Sequence, residues 1–80
     1  MNTMTEEKIP VLDLRTELGV DQQTVADEAH VSQQTISRLE RGENVTERVA
    51  RQVFHAVNRL RKARGWQILK FEDIDWHLKS

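Results

Sequence analysis

Eighty residues make one domain with a small core, because a chain this short buries only about 60% of the surface its unfolded form exposes. The absence of cysteine excludes a disulfide framework and a thiolate metal site, and no run approaches the roughly 18 apolar residues that a membrane span needs. The net charge of −1 conceals a dipolar chain: residues 1–29 hold two basic and seven acidic groups, residues 30–64 eight and three, and residues 65–80 two and three. A basic middle block suits an anionic partner, although solvated arginine-rich helices would show the same balance.

Residues 1–9 are too acidic and polar for a signal peptide, and are expected to form a flexible arm on a cytoplasmic protein. Pro10 stands where a first helical residue would, and Val11, Leu14 and Leu18 follow at helical spacing until Gly19. Asp21 can cap a second helix, whose Val25, Ala26 and Ala29 form a narrow apolar stripe. Ser32 can cap a third, with Ile36 and Leu39 pointing inward and Gly42 at its end. Thr46 can cap a fourth helix reaching Arg64, in which Val49, Val53, Ala56, Val57, Leu60 and Ala63 share one face until Gly65. All three glycines thus fall just past predicted helices, where a left-handed residue is needed.

Beyond Gly65, Phe71, Ile74 and Leu78 fit a helix. Alternation of Ile74, Trp76 and Leu78 with Asp73, Asp75 and His77 fits a strand equally well, and a short helix is the reading taken. The expectation is an all-α compact bundle of about five helices, with a helix-turn-helix domain over residues 10–64 and a tail, 65–80, that completes the core.

From Asp21 to Gly42 the chain reads DQQTVADEAHVSQQTISRLERG. A short helix, a tight turn and a second helix follow one another, with Ala26 and Ala29 small enough for close crossing and Val31 plugging the turn. This is the pattern that presents a second helix to a major groove. Wound at about 100° per residue, Gln33, Gln34, Ser37, Arg38 and Arg41 fall on one side of that helix and Ile36 and Leu39 on the other. The outward face carries no carboxylate at its centre. Glutamine can pair with adenine N6/N7 and arginine with guanine O6/N7, so Gln33, Gln34, Ser37 and Arg38 are the candidate base-reading residues. Arg41, Asn44, Thr46 and Arg48, in the loop and helix start that follow, are phosphate candidates, together with Ser32 and Thr35.

The segment resembles the Cro/CI-type (XRE-like) helix-turn-helix family of bacterial and phage repressors over about residues 11–60, most specifically at Ser32-Gln33-Gln34-Thr35-Ile36. The resemblance implies double-stranded DNA with a pseudo-palindromic operator as partner, a homodimer, and a bacterial or phage-encoded, nucleoid-associated regulator. It implies a phosphate contact for Gln22, base reading for Gln33 and Gln34, and a buried or half-buried salt bridge between Arg15 and Glu40. His30 stands where the family usually has glycine, so it must accept a left-handed or nearby conformation. The fourth helix is longer than the family's usual one, and the tail has no clear counterpart.

Trp66, Ile68, Leu69, Phe71, Ile74, Trp76 and Leu78 are too many apolar groups for so short a tail to hide alone. Some complete the core; Trp66, Phe71, Ile74, Trp76 and Leu78 are expected to supply a symmetric dimer seam. One rival keeps the fold but makes the chain an antitoxin or adaptor whose tail occupies a partner protein; another is an architectural factor that bends DNA. On the fourth helix Arg51, Gln52, His55, Asn58, Arg59 and Lys62 read more simply as a solvated face than as phosphate ligands. The same holds for Asp27 and Glu28 against a role in touching RNA polymerase. His30, His55 and His77 lack metal-ligand spacing, and no nucleophile triad or phosphate loop is present, so neither a cofactor nor an enzyme is expected.

Overall fold

The computed structural model describes residues 7–79. Pro10 sits just outside the first helix rather than within it: its φ of −66° leads the chain in, and its carbonyl accepts from Asp13 and Leu14. That helix, α1 (Val11–Leu18), ends at Gly19 in a left-handed conformation (φ 73°). Three side-chain caps then start three helices. Asp21 accepts from the Thr24 N–H to open α2 (Gln22–Ala29), Ser32 from Thr35 to open α3 (Gln33–Glu40), and Thr46 from Val49 to open α4 (Glu47–Ala63). Each cap satisfies an N–H that the first turn leaves without a helical acceptor.

Helix α2 lies between α3 and α4, and α1 closes the bundle against the same two helices. Leu14, Val25, Ile36, Val53, Val57 and Ile74 are its largest fully buried side chains. On α4 the buried stripe is Ala50, Val53, Ala56 and Val57; Val49 and Leu60 are only half-buried, and Ala63 is exposed where the helix runs past the core.

The tail departs from expectation. There are four α-helices among the described residues, and the fifth element is a single 3-10 turn, Phe71–Asp73. The chain then runs extended and makes two isolated parallel bridges, Ile9↔Ile74 and Val45↔Leu78. Ile9 donates to the Asp73 carbonyl (2.9 Å) and accepts from Asp75 (2.8 Å); Val45 donates to His77 and accepts from Lys79, both at 2.8 Å. Extended backbone advances about 3.3 Å per residue against 1.5 Å in a helix. Only the extended form lets residues 74–79 reach from the entry of α1 to the loop after α3. Ile9, the last residue of the expected flexible arm 1–9, is therefore pinned instead; residues 1–6 of that arm lie outside the described residues.

Ile74 is 1% exposed and belongs to the core, which removes it from the expected dimer seam. Phe71 and Trp76 stack with ring centroids 5.2 Å apart, and Phe54 meets Phe71 edge-on. Arg51 lies over the Phe71 ring at 4.1 Å, and the Trp76 indole N–H donates to the Phe71 carbonyl. Phe71 and Trp76 are thus half-buried within the chain itself. Trp66, Ile68 and Leu78 stay exposed. Among the described residues no helix is long and apolar enough to cross a membrane.

Candidate nucleic-acid interface

The turn between α2 and α3 is short because His30 supplies the left-handed residue itself, at φ 59° and ψ 42°. Its N–H bonds back into α2, and the Val31 N–H reaches the Ala26 carbonyl at 3.0 Å. Ile36 and Leu39 then fasten the inner face of α3, leaving Gln33, Gln34 and Arg38 exposed and Ser37 half-exposed.

A chain of polar side chains ties the start of α3 to its own end. The Arg15 guanidinium grips both oxygens of Glu40, whose side chain is only 7% exposed, and it also donates to the Val20 carbonyl at 3.1 Å. Gln22 donates to Glu40 Oε1 at 2.9 Å, and Gln33 donates to Gln22 Oε1 at 3.2 Å. Burial alone would push the Glu40 carboxyl up. The bonds from Arg15 and Gln22, with the Arg15 charge, outweigh that and hold it below the usual carboxylate range. Arg15 is held above its ordinary value by its bond to Glu40, against the opposing effect of burial. The pair is therefore ionised at neutral pH. Through Gln22 it orients Gln33, which keeps its carbonyl oxygen and one N–H for other partners.

The remaining expected site residues divide into two groups. Gln34, Arg38, Asn44 and Arg48 make no side-chain hydrogen bond or ion pair among the described residues, and all four are exposed. Ser37 and Arg41 are joined to each other at 2.8 Å, and Arg41 also pairs with Glu43. The Ser32 and Thr35 hydroxyls are 3.0 Å apart at the head of α3, where Ser32 already serves as the cap. Gln22 is half-buried and uses both ends of its amide inside the protein, keeping one amide N–H for another partner. Of the phosphate candidates, Arg48 and Asn44 are the least committed.

Two far cations of α4, Arg59 and Arg61, are engaged in ion pairs within the protein. Arg59 pairs with Glu28 at 2.7 Å and also donates to its carbonyl; Arg61 pairs with Glu17 at 2.9 Å. Gln52 donates to the Ala29 carbonyl at the end of α2, and Asp27 accepts from Gln23. Sequence reasoning missed Lys79, which the tail brings beside Thr35, Arg38, Asn44 and Thr46. No local pattern signals this placement, because it depends on a pairing between Val45 and Leu78 that are far apart in the chain.

The geometry defines a helix-turn-helix whose second helix exposes a polar face of Gln33, Gln34 and Arg38. Residues 11–58 match the helix-turn-helix family HTH_3, and the chain belongs to that family of DNA-binding helix-turn-helix regulators, the Cro/CI (XRE) type. No curated protein and no solved structure matches it.

Proposed function

We propose that the chain is a homodimeric, sequence-specific repressor of transcription that reads the major groove with residues 32–41. The reading is carried by the Arg15–Glu40–Gln22–Gln33 network: a half-buried ion pair at one end of α3 aims an exposed glutamine at the other. Preorganisation of this kind serves recognition, since a side chain already held in place loses less conformational freedom on binding. The adjacent glutamines Gln33 and Gln34 extend the reading to adjacent adenines or an ACA-like step in each half-site, with guanine opposite Arg38. Gln22, Ser32, Thr35, Arg41, Asn44, Thr46 and Arg48 then meet the flanking phosphates. Two half-sites about 34 Å apart follow from two-fold symmetry.

Selection of bound sequences from a random duplex pool at about 0.15 M salt tests this, because non-specific binding is weakened there. A two-fold symmetric, A-rich consensus is expected; no enrichment would remove sequence reading from the proposal. For the dimer, a seam on the exposed Trp66 and on Ile68, which lines a groove of about 480 Å³ between α4 and the tail, takes the place of the expected seam of Trp66, Phe71, Ile74, Trp76 and Leu78. Ile68→Asp should lower the sedimenting mass toward that of one chain, whereas an unchanged mass would place the seam elsewhere. A tail that serves a different protein, as in an antitoxin or adaptor, would leave the free chain monomeric at high concentration.

A further inference from the structure

The tail lies beyond the residues that define the family, yet its end returns to the face that α3 exposes. Two backbone hydrogen bonds of 2.8 Å fasten it there: Val45 to the His77 carbonyl, and Lys79 to the Val45 carbonyl. Val45 is buried and sits in the loop that joins α3 to α4, so the pairing sets the position of Lys79 relative to the recognition helix.

Lys79 shares a pocket of about 130 Å³ with Thr35 and Arg38 of α3 and with Asn44 and Thr46 of the loop. The polar groups on its wall are, among the described residues, two cations, two hydroxyls and an amide, with no carboxylate. Among the described residues neither Arg38 nor Lys79 lies within ion-pairing distance of an acid, whereas Arg41, Arg51, Arg59 and Arg61 each hold a glutamate. Nearby acids are engaged elsewhere: Glu40 with Arg15, Glu43 with Arg41, and Glu47 with Arg51. An open, cationic, donor-rich recess beside the groove-reading helix has the chemistry for a single oxyanion.

We propose that this recess receives one phosphate of the DNA backbone and that Lys79, delivered by the tail, is its principal cation. The proposal rests on the DNA-binding reading above and adds to it a ligand from outside the helix-turn-helix segment. The tail bridge then acts in recognition: it closes the fold and also completes the phosphate clamp flanking α3. Thr35, Asn44 and Thr46 supply neutral hydrogen-bond donors to the same phosphate, while Arg38 keeps the choice between it and a base edge.

The test compares the full chain with Lys79→Gln and Lys79→Arg, titrating a fluorescent duplex of the selected sequence between about 0.05 and 0.3 M salt. Lys79→Gln should reduce the slope of log affinity against log salt by about 0.9, the value for one phosphate contact, and weaken binding more at low salt than at high. Lys79→Arg should restore the slope, and the selected consensus should be the same for all three proteins. The Lys79 side chain is exposed and the bridge uses its backbone, so the thermal midpoint should not move. A Lys79→Gln slope equal to that of the unaltered chain would overturn the phosphate site while leaving DNA binding intact. Failure of the unaltered chain to bind any duplex would overturn both.

Discussion

Gln33 is exposed, yet its amide is already held by Gln22 before any ligand arrives. Replacing it with alanine should cost about 1–3 kcal/mol of DNA binding and relax preference at one base position. Competition among single-base variants of the selected site checks this; equal weakening on every variant would mean that Gln33 does not read a base. Behind it, Glu40 links protein stability to pH. Its folded pKa lies below the unfolded value, so its contribution is fully present above about pH 4.5 and is lost as the pH falls through the folded value. Glu40→Gln should therefore be less stable at pH 7, and its deficit should shrink below about pH 4.5. Thermal midpoints collected from pH 7 to pH 3 decide the matter, a constant deficit contradicting it. Asp21, exposed and held low chiefly by its bonds to Thr24, titrates in the same direction, so the variant should keep some acid sensitivity.

Among the elements, the α2–α3 turn depends on a residue that must adopt a left-handed backbone. His30 does so at φ 59°, a conformation costing an L-residue about 1–2 kcal/mol, and for a β-branched side chain it is a genuine outlier. His30→Val should destabilise by at least about 1 kcal/mol, whereas His30→Gly should be neutral or stabilising, as denaturant midpoints would show. Equal losses for both would show that the imidazole, rather than the backbone angle, matters at this position. The tail illustrates the opposite case. Its hydrophobic spacing suits helix and strand alike, and the choice falls to bridges with Ile9 and Val45, which no local propensity encodes.

In the whole molecule, the core is not complete without the tail. Ile74 is 1% exposed although it lies outside residues 11–58. Ile74→Ala should lower unfolding free energy by about 2–5 kcal/mol, the usual range for emptying a fully buried aliphatic site. Urea unfolding measures it, and a loss under about 1 kcal/mol would mean that the helix-turn-helix is stable without this plug. The charge division along the chain acquires a spatial meaning at this scale. Among the described residues two arginines of the basic block pair with glutamates of the acidic one, Arg59 with Glu28 and Arg61 with Glu17. Arg38 and Lys79 have no acid at ion-pairing distance among the described residues, and they line one recess beside α3 and the loop after it. Lys62 and Arg64, likewise without an acid among the described residues, stand at the far end of α4.

The four α-helices, their caps and their stops were legible in the sequence because each is a local event. Asp21, Ser32 and Thr46 bond to an N–H three residues on, and Gly19, Gly42 and Gly65 take the positive φ that ends a turn. The outward face of α3 was legible for the same reason, since helical periodicity alone places Gln33, Gln34 and Arg38 opposite Ile36 and Leu39. The Arg15–Glu40 pair came from resemblance, and the bonds that carry it on to Gln33 emerged only from the packing of α1, α2 and α3. Which tail residues are buried, and that Lys79 meets Thr35 and Asn44, was decided by tertiary structure alone. An isolated parallel bridge between distant residues has no sequence period to announce it, because its stability comes from the core on which both partners lie.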